Sequence, residues 1–294
     1  MELISLFAIS YLILIPVLIY WIGDKKKGLF PLASFYMCIG INVVVKLTAC
    51  IYRPWIRDAR VIPAGDAIST ATGYSFPSGH VATSGPIYAG LAKVYHDSKK
   101  WISWICVILL LITAFSRNYL GVHTPQDVII ALLETVLSVY VMGKIFRYLE
   151  EKPKKENILL LLQFLFAVAA LVYVTFKPYP MEYKDGVLIV DPQKMMNDGY
   201  GDLAMTMIFP IARFIEKKWI RFRPVGCNKK GLIAGIIGSV FFALINQLLK
   251  PCLVSLFGSH WGKFLGSGIL VFFCIAAYPL IIKLLFNKED KTEE

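Results

Sequence analysis

The sequence predicts an all-α fold, a polytopic transmembrane helical bundle of about nine spans, and three observations carry that expectation. Of the 294 residues, 57% are hydrophobic and 17% charged, a balance more apolar than a soluble domain needs to close one core. Nine runs approach the roughly 20 apolar residues that carry a helix across the hydrocarbon layer. The net charge of +11 is distributed as a membrane would sort it.

The first run, Leu3 to Ile22, has no basic residue before it and no small-residue cleavage site after it, so it reads as an uncleaved anchor. The second runs from Leu29 to Ile51, the third from Ser78 to Tyr95, the fourth from Trp101 to Phe115 and the fifth from Val128 to Phe146. A charged linker, Arg147 to Asn157, then separates a five-span half, 1–150, from a four-span extension, 151–294, whose role the sequence leaves open. The extension holds runs from Ile158 to Phe176, Leu203 to Ile215, Leu232 to Leu249 and Phe264 to Phe286. The third and seventh are weakest, each with polar or small residues near one end. Lys177 to Asp202 reads as a loop, either a cap over a site or a solvated connector.

If nine helices alternate, the basic clusters at Lys25 to Lys27, Lys99-Lys100, Lys144 to Lys155, Lys217 to Lys230 and Lys283 to Lys291 share one side. The positive-inside rule makes that side cytoplasmic, with the N-terminus outside and the tail NKEDKTEE inside. The positive charge therefore points to the bilayer as partner and not to nucleic acid. The six cysteines show neither metal-ligand spacing nor a disulfide framework and read as core residues.

Two loops on the outer side hold chemistry-bearing residues. Lys46 lies inside the second span, where an ionised group is costly unless paired, hydrated or snorkelled. Arg53 follows seven residues later, which on a helix returns to the same face about 10 Å further along; Pro54 marks the expected helix end. Alone, the pair also fits a snorkelling lysine and a flanking anchor. Arg223-Pro224 repeats the dipeptide with Glu216 seven residues upstream and reads as an ordinary basic flank.

In YSFPSGHVAT, Ser78 is expected to cap the third span with its hydroxyl, Gly79 to leave the backbone open, and His80 to sit in the first turn. A helix start of this kind suits an anion, although a cap with an interfacial histidine fits equally. In SRNYLGVHTPQD, Ser116 and Arg117 close the fourth span. Thr124, Pro125 and Asp127 form an N-cap, first helical position and capping-box acid. The turn can also bring Asp127 to His123, fixing the tautomer of the ring.

Together these three blocks resemble the signature of the type 2 phosphatidic acid phosphatase family. Lys46 and Arg53-Pro54, Pro77-Ser78-Gly79-His80, and Ser116-Arg117 with His123 and Asp127 fill every fixed position, with 22 and 35 residues between blocks. The outside N-terminus and nine spans are similar to its glucose-6-phosphatase and sphingosine-phosphate phosphatase branches. The chain keeps Gly79 where the sphingoid-phosphate branch tends to have threonine, and Asp127 where glucose-6-phosphatases differ.

The resemblance implies a lipid phosphate hydrolase in which His123 attacks phosphorus, Asp127 orients it, and His80 protonates the leaving oxygen and then activates water. Lys46, Arg53, Ser78, Gly79 and Arg117 would bind the phosphate, with no metal and no cofactor. The expected substrate is a phosphorylated lipid, a monoester or diphosphate, on the extracytoplasmic side. A soluble phosphate such as a sugar phosphate, or lipid-phosphate transport without hydrolysis, are the competing readings. A homodimer through the C-terminal helices is a further expectation.

Overall fold

The computed structural model describes residues 11–65, 67–71, 73–184 and 186–286. The first part of the opening span, 3–10, and the acidic tail, 287–294, lie outside the described residues. The architecture is helical: α1 (Leu14–Ile22), α2 (Lys25–Ala49), α3 (Gly79–Tyr95), α4 (Lys100–Tyr119), α5 (Pro125–Glu151), α6 (Glu156–Phe176), α7 (Pro192–Ile215), α8 (Lys229–Leu244), α9 (Lys250–Phe272) and α10 (Tyr278–Phe286). A two-stranded antiparallel hairpin, Tyr183–Lys184 with Val187–Leu188, sits in the loop before α7.

Side chains start several of these helices. Asp24 accepts from the amides of Lys26 and Lys27 at 2.8 and 3.0 Å, Asp191 from Gln193 at 2.9 Å, and Asn228 from Gly231 at 2.9 Å. Each binds an amide that lacks an intrahelical acceptor.

Among the described residues, five stretches are long and apolar enough to cross a membrane: Lys25–Arg57, Lys100–Tyr119, Pro125–Glu151, Pro153–Phe176 and Lys229–Phe286. The last is 58 residues long and turns back at Gly258, whose φ of 77° and ψ of 170° belong to a region that only glycine enters without strain. α3 and α7, the two weakest runs, are not among the five. Exposed apolar residues such as Trp104, Ile108 and Leu111 on α4 and Leu133, Val136 and Leu137 on α5 suit hydrocarbon.

α2 is the central helix, with 78% of its apolar window buried, against 17% for the peripheral α6. It packs against both halves of the chain. Tyr36 stacks on Phe209 of α7 with centroids 4.7 Å apart, and Thr206 Oγ1 donates to the Tyr36 carbonyl at 3.0 Å. A Cβ at Gly40 would lie 2.8 Å from the Thr206 methyl, so only glycine permits this approach.

Three expectations change. The loop from Lys177 to Asp202 is loop only as far as Asp191, because α7 begins at Pro192, eleven residues before the predicted run. α2 ends at Ala49, with Cys50 in the left-handed conformation (φ 48°) and Arg53 extended, so Lys46 and Arg53 do not share a helical face. Of the cysteines, Cys38, Cys106 and Cys274 are buried, but Cys227 and Cys252 are exposed.

Candidate active site

The three sequence blocks meet at one end of the bundle, where α2 ends, α3 and α5 begin and α4 ends. Lys46 Nζ, in the last turn of α2, donates to the carbonyls of Tyr74 (3.4 Å) and Pro77. Its charge thus sits beside the start of α3, whose first-turn amides add a positive dipole end. A Cβ built on Gly79 would meet only this Nζ, at 4.0 Å. Lys46 is therefore held inward, not snorkelled outward.

Ser78 occupies the N-cap position of α3, but its hydroxyl makes no cap hydrogen bond. This corrects the expected capping role. The Ser78 Oγ is fully buried without a protein partner. His80, in the first turn, is 7% exposed, and its Nε2 also has no partner. The Phe76–Pro77 bond that precedes them is cis.

The turn from α4 to α5 carries the second histidine. Thr124 and Asp127 form the capping box: the Asp127 amide donates to Thr124 Oγ1 (3.4 Å), and the Thr124 amide donates to Asp127 Oδ2 (2.8 Å). The same Oδ2 lies 3.4 Å from His123 Nδ1 and accepts from Ser75 Oγ at 2.5 Å. Asn118 Nδ2 donates to the His123 carbonyl at 2.9 Å, fixing the backbone of the turn.

Arg53 joins the blocks. Its Nε donates to Gly73 O at 3.0 Å and its Nη1 to Val122 O at 2.9 Å. Nη1 also lies 2.9 Å from His123 Nε2. A guanidinium can only donate, so Nε2 is the accepting nitrogen and the ring proton belongs on Nδ1, towards Asp127. Burial, then the Arg53 charge, hold the His123 imidazole well below its ordinary pKa, despite Asp127. The ring is neutral at pH 7, with a lone pair on Nε2.

A cavity of about 220 Å³ opens beside these groups. Lys46, Arg53, Gly79 and His80 line it; Ser78, Arg117, His123 and Asp127 do not, and each of these four is buried. Arg117 is fully buried in the last turn of α4. The cavity is closed on another side by Met195, Asp198, Gly199 and Asp202 of α7. Sequence reasoning missed Ser75 and Asn118; it placed Met195, Asp198, Gly199 and Asp202 in a segment read as a cap or a connector, but as loop and not as helix. The first two show no periodic signal, whereas Asp191-Pro192 is a cap and first-position proline of the same kind as Thr124-Pro125.

Fold and site together define a class: an all-α membrane protein in which a buried histidine, its Nδ1 3.4 Å from a carboxylate oxygen, lies beside a cavity that two cations line at a helix N-terminus. The chain belongs to the PAP2 superfamily, whose model matches residues 27–151. It is 31% identical over 105 residues to an undecaprenyl-diphosphatase of Sulfolobus acidocaldarius, a match that covers 36% of this chain and 48% of that protein. It is also 31% identical over 143 residues to the undecaprenyl-diphosphatase BcrC of Bacillus subtilis, covering 47% of this chain and 68% of that protein. The chain thus spans about half the length of the first relative. No solved structure matches it.

Proposed function

We propose that this chain is an integral membrane phosphatase that hydrolyses a lipid phosphate monoester or diphosphate on the extracytoplasmic side, through a phosphohistidine and without a metal. The contact of Arg53 Nη1 with His123 Nε2 carries the reading, because it implies the tautomer a nucleophile needs. The curated relatives, both named undecaprenyl-diphosphatase, support a lipid-linked substrate.

An incoming phosphoryl group competes for the Arg53 guanidinium, and transfer of that donor to a phosphoryl oxygen exposes the Nε2 lone pair to phosphorus. A P–N bond forms as the P–O ester bond breaks. The leaving oxygen takes its proton from His80, and Asp127 balances the charge gained by His123. His80 then takes a proton from water, which displaces His123 and releases phosphate. Lys46, Arg53 and Arg117, with the Ser78 hydroxyl and the first amides of α3, neutralise the nonbridging oxygens. The sidedness rests on charge: Lys25, Lys26, Arg213 and Lys217 meet Glu150, Glu156 and Glu216 at the end of the bundle opposite this site.

Purified protein in detergent should release phosphate from a radiolabelled lipid phosphate, form a labelled acid-labile protein adduct, and keep its rate in excess chelator. His123→Ala should lose both release and adduct. Full turnover by that variant would sink the nucleophile assignment, and retention of the lipid without release by wild type would favour transport.

A further inference from the structure

The 220 Å³ cavity has walls of opposite charge. Lys46 and Arg53 bring cations from the part of the chain that matches the family, while Asp198 and Asp202 bring carboxylates from α7, which lies outside residues 27–151. Four residues apart on one helix, the two carboxylates project from the same face. Lys263 Nζ holds one oxygen of Asp198 at 2.6 Å. Among the described residues, no side-chain hydrogen bond or ion pair holds the half-buried Asp202 carboxylate.

A second observation in the same cavity points to a ligand. His80 is 93% removed from solvent and its Nε2 has no partner, although it lines the space between the cationic wall and α7. A buried polar atom without a partner is costly, so a ligand atom facing His80 Nε2 is implied. If phosphate sits at Lys46, Arg53 and Gly79, and His80 meets the ester oxygen, the first atoms of the leaving alcohol lie against α7.

We propose that Asp202, with Asp198 beside it, determines specificity: it accepts a hydrogen bond from an ammonium or hydroxyl on the leaving alcohol, close to the ester oxygen. The selected substrate is then a phosphate monoester of an amino- or hydroxy-bearing lipid alcohol. A lipid diphosphate is disfavoured, because its second phosphate would face two carboxylates. This deepens the phosphatase reading and rests on it.

The test is phosphate release from four lipids by one preparation: a sphingoid base phosphate, a lysophosphatidate, a prenyl monophosphate and a prenyl diphosphate. Wild type should have its highest kcat/KM on the first two and its lowest on the diphosphate. Asp202→Asn should lower the ratio of sphingoid to prenyl monophosphate kcat/KM by about 10- to 100-fold, the usual weight of a hydrogen bond to a charged group. It should also raise relative activity on the diphosphate. Asp198→Asn should move both ratios the same way by less, since Lys263 shares that carboxylate.

Ratios within one preparation cancel any loss of folded protein. A larger loss on the sphingoid phosphate than on lysophosphatidate would assign the contact to ammonium, and equal losses would assign it to hydroxyl. Ratios unchanged in both variants, or a wild-type preference for the diphosphate, would overturn the proposal while leaving the phosphatase reading intact. Release from none of the four lipids would remove the phosphatase reading itself.

Discussion

Asp127 uses one oxygen three ways: Oδ2 accepts from Ser75 Oγ and the Thr124 amide and faces His123 Nδ1 at 3.4 Å. The capping duty fixes where the carboxylate sits, and the Ser75 bond fixes how it is turned. Ser75 is fully buried and does not line the cavity, so it acts through Asp127. Ser75→Ala should lower kcat by about ten- to a hundredfold, the weight of a hydrogen bond to a charged acceptor, with little change in KM. Steady-state kinetics on one lipid phosphate checks this, and an equal rise in KM would instead place Ser75 against the substrate. That His80, His123 and Asp127 belong to one site was legible because they fall in spaced blocks. Ser75 was not, because its partner is 52 residues away and nothing in YSFPSGH marks this serine over Ser78.

At the scale of elements, the sequence located helix starts better than helix functions. Thr124-Pro125 starts α5 as expected, and the break between α5 and α6, from Lys152 to Lys155, falls inside the expected linker from Arg147 to Asn157, whose two ends are helical. The start of α7 was missed because Gln193, Lys194, Asn197, Asp198 and Asp202 interrupt the apolar pattern; a helix that walls a polar cavity must carry such residues on one face. The start of α3 was placed correctly, but its serine does not cap. Ser78 keeps an unused hydroxyl, and Gly79 leaves the space before Lys46 open. Gly79→Ala is expected to fold normally, since the added methyl meets nothing closer than 4.0 Å, and its KM for a phosphate substrate should rise severalfold. Thermal unfolding and KM measured together decide it; a large loss of stability with unchanged KM would mean that Gly79 serves the fold.

Across the whole molecule, the end opposite the site is held by charge. Glu216 is fully buried where α7 passes into a π-helical turn, and its two oxygens meet Lys25 Nζ and Arg213 Nη1, each at 2.5 Å. Arg213 Nε and Lys217 Nζ share Glu156 at 2.8 and 2.7 Å, and Lys217 also donates to Pro153 O at 3.0 Å. The network therefore ties the start of α2 and the α5–α6 turn to the end of α7. α7 walls the cavity at its other end, so this anchor also sets the register of Asp198 and Asp202 against Lys46. The sequence offered Glu216 only as the residue that spoils a repeat of the Lys46–Arg53 spacing, because Lys25, its partner, stands 191 residues away. Removing the shared carboxylate leaves two cations facing each other in a largely dry site, which costs about 3–5 kcal/mol. Glu216→Ala should accordingly lower the thermal midpoint of the detergent-solubilised protein by many degrees and weaken activity on every substrate alike. Lys26→Ala, which breaks the exposed pair with Glu150 at 3.5 Å, should cost under about 1 kcal/mol and leave the midpoint nearly unchanged. Equal midpoints for the two variants would show that the buried cluster does not brace the halves, and that packing at Gly40, Tyr36 and Phe209 alone sets the position of α7.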